Sequence, residues 1–239
     1  MASANAGPIS SRDTTRLWAI LTAIAGIVAL GVTIAFQTLP EVKAAGACVA
    51  SDAVLRFEFA RTPGDLDAIF GPAGGDCRAL VVAAMDAINR LDVLVFIPAY
   101  TAFVSFAALF LSEGKFRWLT AMAIVAAAIA LSADYVETLG LLSYTPELTP
   151  TPAMLAQSSA AAWIKFAGLG VNGLLLAALC FTAAARKRWI LGALLCLPSL
   201  GVAVTFYDLS LNSALTLAFF ASWTPLLIMA IKSAITGRA

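Results

Sequence analysis

In Ala-Leu-Ser-Ala-Asp-Tyr-Val-Glu-Thr, residues 130–138, two carboxylates interrupt a run of small and aliphatic side chains. Asp134 and Glu137 are three positions apart, so on a helix they share one face. Carboxylates so placed can do acid–base work, hold a cation or neutralise a buried ammonium. A candidate ammonium, Lys165, lies in another apolar segment, spaced with Gly168 and Asn172 to line one helical face. A third apolar segment carries Asp92 and Tyr100. Asp134, Glu137, Lys165, Asn172, Asp92 and Tyr100 are therefore the candidate ligand-binding residues. A bland alternative stands beside each: an Asp134–Lys165 pair that only locks two helices, a Lys165 that snorkels to the surface, an Asp92 that sits at the interface. Asp134, with a stem one methylene long, cannot snorkel and must find a partner, water or a proton.

Other chemistries are excluded or unsupported. The 239 residues contain no His. His-ligated haem, His-based zinc or copper and every Ser-His or Cys-His nucleophile are thereby ruled out. No Gly-rich phosphate loop, Gly-x-Ser-x-Gly, Cys-x-x-Cys or Asp-x-x-Asp-Asp motif occurs. Asp134 and Glu137 alone are too few oxygens for a metal, so no metal, cofactor or catalytic residue is assigned. A net charge of +1 offers no basic field for nucleic acid.

The elements that position these residues are membrane helices. With 61% hydrophobic and 12% charged residues and a mean hydropathy of +0.91, the composition is far from the roughly 25% charged of a soluble domain. Six apolar spans are expected at 17–39, 91–111, 117–142, 161–185, 189–209 and 213–233, each near the ~20 residues that cross a bilayer. The fold expected is an all-α six-transmembrane-helix bundle forming a single domain, 17–239, behind a disordered cytoplasmic tail, 1–16. A signal peptide cleaved after Ala45-Gly46-Ala47 is the competing view of the first span. The apolar run, however, exceeds the ~7–15 residues of such a segment.

Arg12, Arg16, Lys115, Arg117, Arg186, Lys187, Arg188, Lys232 and Arg238 flank the spans on one side. Both termini should then be cytoplasmic. The loop at 40–90 becomes extracytoplasmic, where Cys48 and Cys77 can form a disulfide. Within it, residues 54–59 alternate like a short strand or extended segment. Thr62-Pro63-Gly64-Asp65 starts a short helix ending near Phe70, and 71–75 is a breaker. Asp76 is a candidate cap for a long helix running from Arg78 through the second span. Cys180 and Cys196 are small core residues. Trp18, Trp118, Trp163 and Trp189 anchor span ends, and Pro98, Pro198 and Pro225 mark possible kinks.

Depth follows from the spans. At ~1.5 Å per residue Asp134 lies about 12 Å below the outer end of its helix, Lys165 about 6 Å below the surface and Asn172 near the midplane. The polar groups thus fall in the outer half, which predicts a crevice opening outward beneath the loop.

Phe57-Glu58-Phe59-Ala60-Arg61-Thr62-Pro63, residues 91–100 and Ala133-Asp134-Tyr135-Val136-Glu137-Thr138 together resemble a family of uncharacterised small multipass bacterial membrane proteins. In that family the last element tends to read Asp-x-x-Glu-Asn, where this chain has Thr138. The resemblance implies a bacterial envelope setting, hence the inner membrane, and a bundle of about six spans; it carries no activity. Three functions stay open. The first is binding or transport of a small amphiphile, lipid head group or cation in the outward pocket. The second is an accessory subunit docking a membrane-protein partner. The third is an intramembrane enzyme acting on lipid or isoprenoid, the least favoured.

Overall fold

A computed structural model describes residues 11–182 and 186–237. Among them are six helices long and apolar enough to cross a membrane, and no strand. The chain is a multipass helical bundle. Residues 1–10 of the expected tail lie outside the described residues, and α1, Ser11–Phe36, takes in the rest of it as its first turns. Near the start of α1, Arg16 ties the first span to the last, its Nε donating to the Ala234 carbonyl at 3.1 Å. That carbonyl belongs to the last turn of a helix, where a cation is favoured.

The loop after α1 is a small folded lid. It holds α2 (Pro40–Ala45), α3 (Ala53–Glu58) and α4 (Pro63–Phe70). The strand or extended segment expected at 54–59 is wrong: residues 54–58 lie in α3 and Phe59 follows its last residue. Their alternation reflects packing in two directions, since Phe57 enters the lid core and Phe59 stacks on Trp163 at 4.5 Å. Tertiary burial overrode a local period. The start of α4 is as expected, a capping box in which Asp65 N donates to Thr62 Oγ1 and Asp65 Oδ2 accepts from Thr62 N at 2.9 Å. Phe57, Leu66 and Phe70 pack against Leu141 and Tyr144 of the bundle, seating the lid on its end. A Cys48–Cys77 disulfide closes it, with a Cα–Cα distance of 5.4 Å. Asp76 does not cap the next helix; Cys77 precedes it, without a side-chain cap.

From there α5 (Arg78–Leu91) passes through a π-helical turn (Asp92–Phe96) into α6 (Ile97–Ser112). Pro98 explains the turn, because its ring lacks an N–H and would crowd the carbonyl four residues back in a regular helix. The wider turn removes the conflict and re-aims Asp92 and Phe96. Next come α7 (Arg117–Tyr144) and α8 (Pro152–Phe181). The second of these begins earlier than the expected span, since Thr151 Oγ1 accepts from Met154 N and Pro152 takes the first turn. The fifth span breaks into α9 (Arg186–Leu195) and α10 (Leu197–Tyr207) just before Pro198, whereas α11 (Ser213–Thr236) runs on through Pro225.

Small residues on α8 let its neighbours approach. Gly168 faces Ala126 and Ala130 of α7, and Gly173 faces the Leu195 carbonyl. A Cβ at Gly173 would lie 2.7 Å from that backbone oxygen. Gly173→Ala is therefore expected to destabilise the bundle by about 1–3 kcal/mol, as overpacking does. Gly31→Ala, with nothing within 4 Å, serves as the neutral control. Thermal unfolding in detergent reads the difference, and equal melting of the two variants would refute it.

Candidate functional site

Lys165, mid-way along α8 and only 5% exposed, is the hub. Its Nζ lies 2.6 Å from Glu137 Oε2, 3.0 Å from Glu58 Oε2 and 3.1 Å from Asp134 Oδ1. Two of these carboxylates come from α7, whose Asp134 and Glu137 share a face as their spacing dictates. The third comes from the last residue of α3, so the lid itself reaches the cluster. Tyr100 of α6 donates its hydroxyl to Asp134 Oδ2 at 2.6 Å. Asp92, aimed by the π turn, lies 3.2 Å from the Thr138 hydroxyl, which is also 3.4 Å from Asp134 Oδ1. One hydroxyl proton thus serves two carboxylates in turn.

The structure therefore brings together Asp134, Glu137, Lys165, Asp92 and Tyr100. Asn172 stands apart from them. It donates to the Ala123 carbonyl at 2.8 Å and fastens α8 to α7. The residue that sequence reasoning missed is Glu58. Its one signal was an acid between two large aromatics in a short amphipathic stretch, and only the docking of the lid carries it to Lys165.

Charge balance is the outstanding feature. Glu58, Asp134 and Glu137 face a single ammonium, leaving two negative charges uncompensated if all ionise, and Asp92 adds a third. Bringing carboxylates together out of water favours uptake of protons or a cation. For Glu58, outside the spans, burial pushes the carboxyl up, Lys165 opposes this, and the charge of Asp134 adds to it, with a net rise. The sign of the consequence is fixed. A carboxyl whose folded value exceeds its unfolded value contributes stability that is complete below the unfolded value and fades as pH rises through the folded one. Lid docking should weaken as pH climbs above the ordinary carboxylate range, with less hydrogen-exchange protection in α3 and α4. Glu58→Gln should flatten that dependence, and an unchanged slope in the variant would rule Glu58 out as its source.

Beside the cluster lies a cavity of about 180 Å³. Glu58, Asp92, Tyr100, Asp134 and Lys165 make its polar wall, and Phe96, Phe166, Leu169, Phe219 and Trp223 are among its apolar residues. A second cavity, also about 180 Å³, shares Phe96, Thr216, Phe219 and Trp223 with the first and extends between α1, α6 and α11. Its far wall includes Leu30 and Phe220, which are 39% and 59% exposed on the flank of the bundle. The two cavities adjoin along these shared residues, between that flank and the acidic cluster. Among the described residues no group of three or more Cys, Asp or Glu side chains could hold a metal ion. The Lys165 ammonium already occupies the centre of the carboxylates.

Compared with known proteins, the chain matches no family model, and neither a curated protein nor a solved structure is significantly similar to it.

Proposed function

We propose that this chain is a bacterial inner-membrane protein that binds a small amphiphile with a cationic or strongly proton-donating head group. The observation that carries this is a pair of adjoining, largely apolar cavities beside a buried acidic cluster in charge deficit. An alkyl or isoprenyl tail fits them, since their walls are aliphatic and aromatic. The head then meets Asp92 and Asp134, whose negative charge Lys165 cannot satisfy alone. Anionic lipid heads are disfavoured by the same charge, and a bare metal ion by the paucity of free oxygen ligands. Both termini on the cytoplasmic side accords with the basic residues flanking the spans there, and the disulfide of the lid accords with an oxidising compartment on the other side. In that setting the lid covers the outward end of the site, and an amphiphile enters sideways from the bilayer between α1 and α11.

Native mass spectrometry of the protein extracted from its own membrane tests this, with Asp134→Asn alongside. A small-molecule adduct present in the wild type and lost from a folded variant is expected. In titrations, a long-chain alkylammonium should bind about tenfold more weakly to Asp134→Asn, the scale of one charge-assisted contact. An alkyl sulfate should not compete. Co-purifying protein subunits without any adduct would favour the accessory-subunit alternative and overturn the binding role.

A further inference from the structure

A different crevice, about 370 Å³ in volume, lies where the lid meets α8 and the C-terminal end of α10. Arg56 and Arg61 of the lid line it, together with Trp163 of α8 and Thr205 of α10. Two buried polar atoms here, Trp163 Nε1 and Thr205 Oγ1, have no hydrogen-bond partner. Thr205 is 1% exposed. An unmet buried donor is costly, and native structures hold few of them. Both residues line the crevice.

The charges agree. Arg56 makes no salt bridge among the described residues, and Arg61 uses only its Nε, donating to Ser159 Oγ at 3.3 Å. Two carboxylates stand nearby and each is engaged with backbone. Asp65 Oδ2 accepts from Arg61 N and Thr62 N at 2.9 Å each, and Asp208 Oδ1 accepts from Ser210 N at 2.9 Å. Burial raises the Asp65 carboxyl, but hydrogen bonds from Arg61 N, Thr62 N and the Thr62 side chain, with the charge of Arg56, outweigh it and hold the group below its ordinary value as an anion. The two guanidiniums, the indole N–H and the Thr205 hydroxyl can donate, and Asp65 is the carboxylate among the lining residues. Guanidinium forks match the oxygens of a phosphate group, and an indole N–H and a hydroxyl complete the set.

An apolar flank adjoins these donors. Trp163 lies between Phe59, tilted at 4.5 Å, and Phe206, edge-on at 5.3 Å, and Phe206 is 74% exposed. Indole rings at span ends sit at head-group level. On α3, Arg56 and Glu58 are two residues apart and so do not share a face. One short helix therefore turns an acid to the Lys165 cluster and a base to this crevice.

We infer that the crevice is a second binding site, specific for an anionic phosphate group such as a phospholipid head presents, and opposite in charge preference to the Lys165 site. Both an anionic bilayer lipid and free phosphate carry that chemistry. The full-length protein, delipidated in a neutral detergent, is incubated with phosphatidylglycerol, phosphatidylcholine or inorganic phosphate, and bound species are counted by native mass spectrometry. Retention of phosphatidylglycerol about tenfold above phosphatidylcholine is expected, the scale of one charge-assisted pair. Arg56→Gln should abolish that preference, Arg56→Lys should restore part of it, and Asp134→Asn should leave it intact. Arg61→Gln is the second variant if Arg56→Gln folds poorly, as judged by melting. Displacement of the lipid by millimolar phosphate would identify the free anion as a sufficient ligand and support the site. Equal retention of the two lipids with no bound phosphate would overturn it, as would a preference that survives in both folded arginine variants.

Discussion

Lys165→Met is expected to be the most damaging single substitution in this chain, lowering stability by about 3–5 kcal/mol, the range found when one partner of a buried ion pair is removed. The ammonium contacts three carboxylates that are nearly inaccessible to solvent. Without it, each must take up a proton or remain an uncompensated charge in a medium that solvates it poorly. The methionine fills most of the vacated volume, so the loss reports charge and not packing. Adding Glu137→Gln and Asp134→Asn to Lys165→Met should recover part of the deficit, because amides in those places need no counter-charge. Thermal unfolding in detergent reads the series. A Lys165→Met protein that melts with the wild type would mean the cluster is hydrated and contributes little to the fold. The binding role makes a separate demand: Asp134→Asn, which keeps an oxygen for Lys165 and turns its amide N–H toward the Tyr100 hydroxyl, should fold yet lose its amphiphile.

Breaking the Cys48–Cys77 bridge should have the second largest effect. The two residues are 29 apart in sequence, and on the chain-entropy estimate closing a loop of that size contributes roughly 3 kcal/mol. Because the bridge lies within the lid, the loss is expected to be local. Cys48→Ser with Cys77→Ser should raise hydrogen exchange and protease cleavage in α2 to α4 while α7 and α8 stay protected. Release of the lid also withdraws Glu58 from Lys165, so the paired variant should bind a cationic amphiphile differently from wild type. Lid protection that is identical in the reduced and oxidised proteins would show that the core around Phe57 and Phe70 holds the lid unaided.

How far each feature could be read in advance depends on the range of the interaction behind it. The spans were legible because a bilayer demands about twenty apolar residues in succession, and any window of sequence reveals that. The start of α4 was legible because a capping box is made by neighbours, here Thr62 and Asp65. The common face of Asp134 and Glu137 needed only the pitch of a helix. Residues 54–59 misled because their alternation satisfied two separate aromatic contacts, with Phe70 on one side and Trp163 on the other, at 4.9 and 4.5 Å. Nothing within six residues distinguishes that from a pleat. Asn172 shares a helical face with Lys165 by spacing, yet it fastens onto Ala123; which neighbour a face meets is decided by how α7 crosses α8. Glu58 is the clearest case. Composition, periodicity and depth fixed the membrane helices and put one ammonium and several acids in the same half of the bundle. That the lid folds back to add its own carboxylate follows from burial of Phe57, Leu66 and Phe70 against Leu141 and Tyr144. Such contacts between residues some eighty positions apart are energetic facts of the assembled chain, and only the tertiary structure decides them.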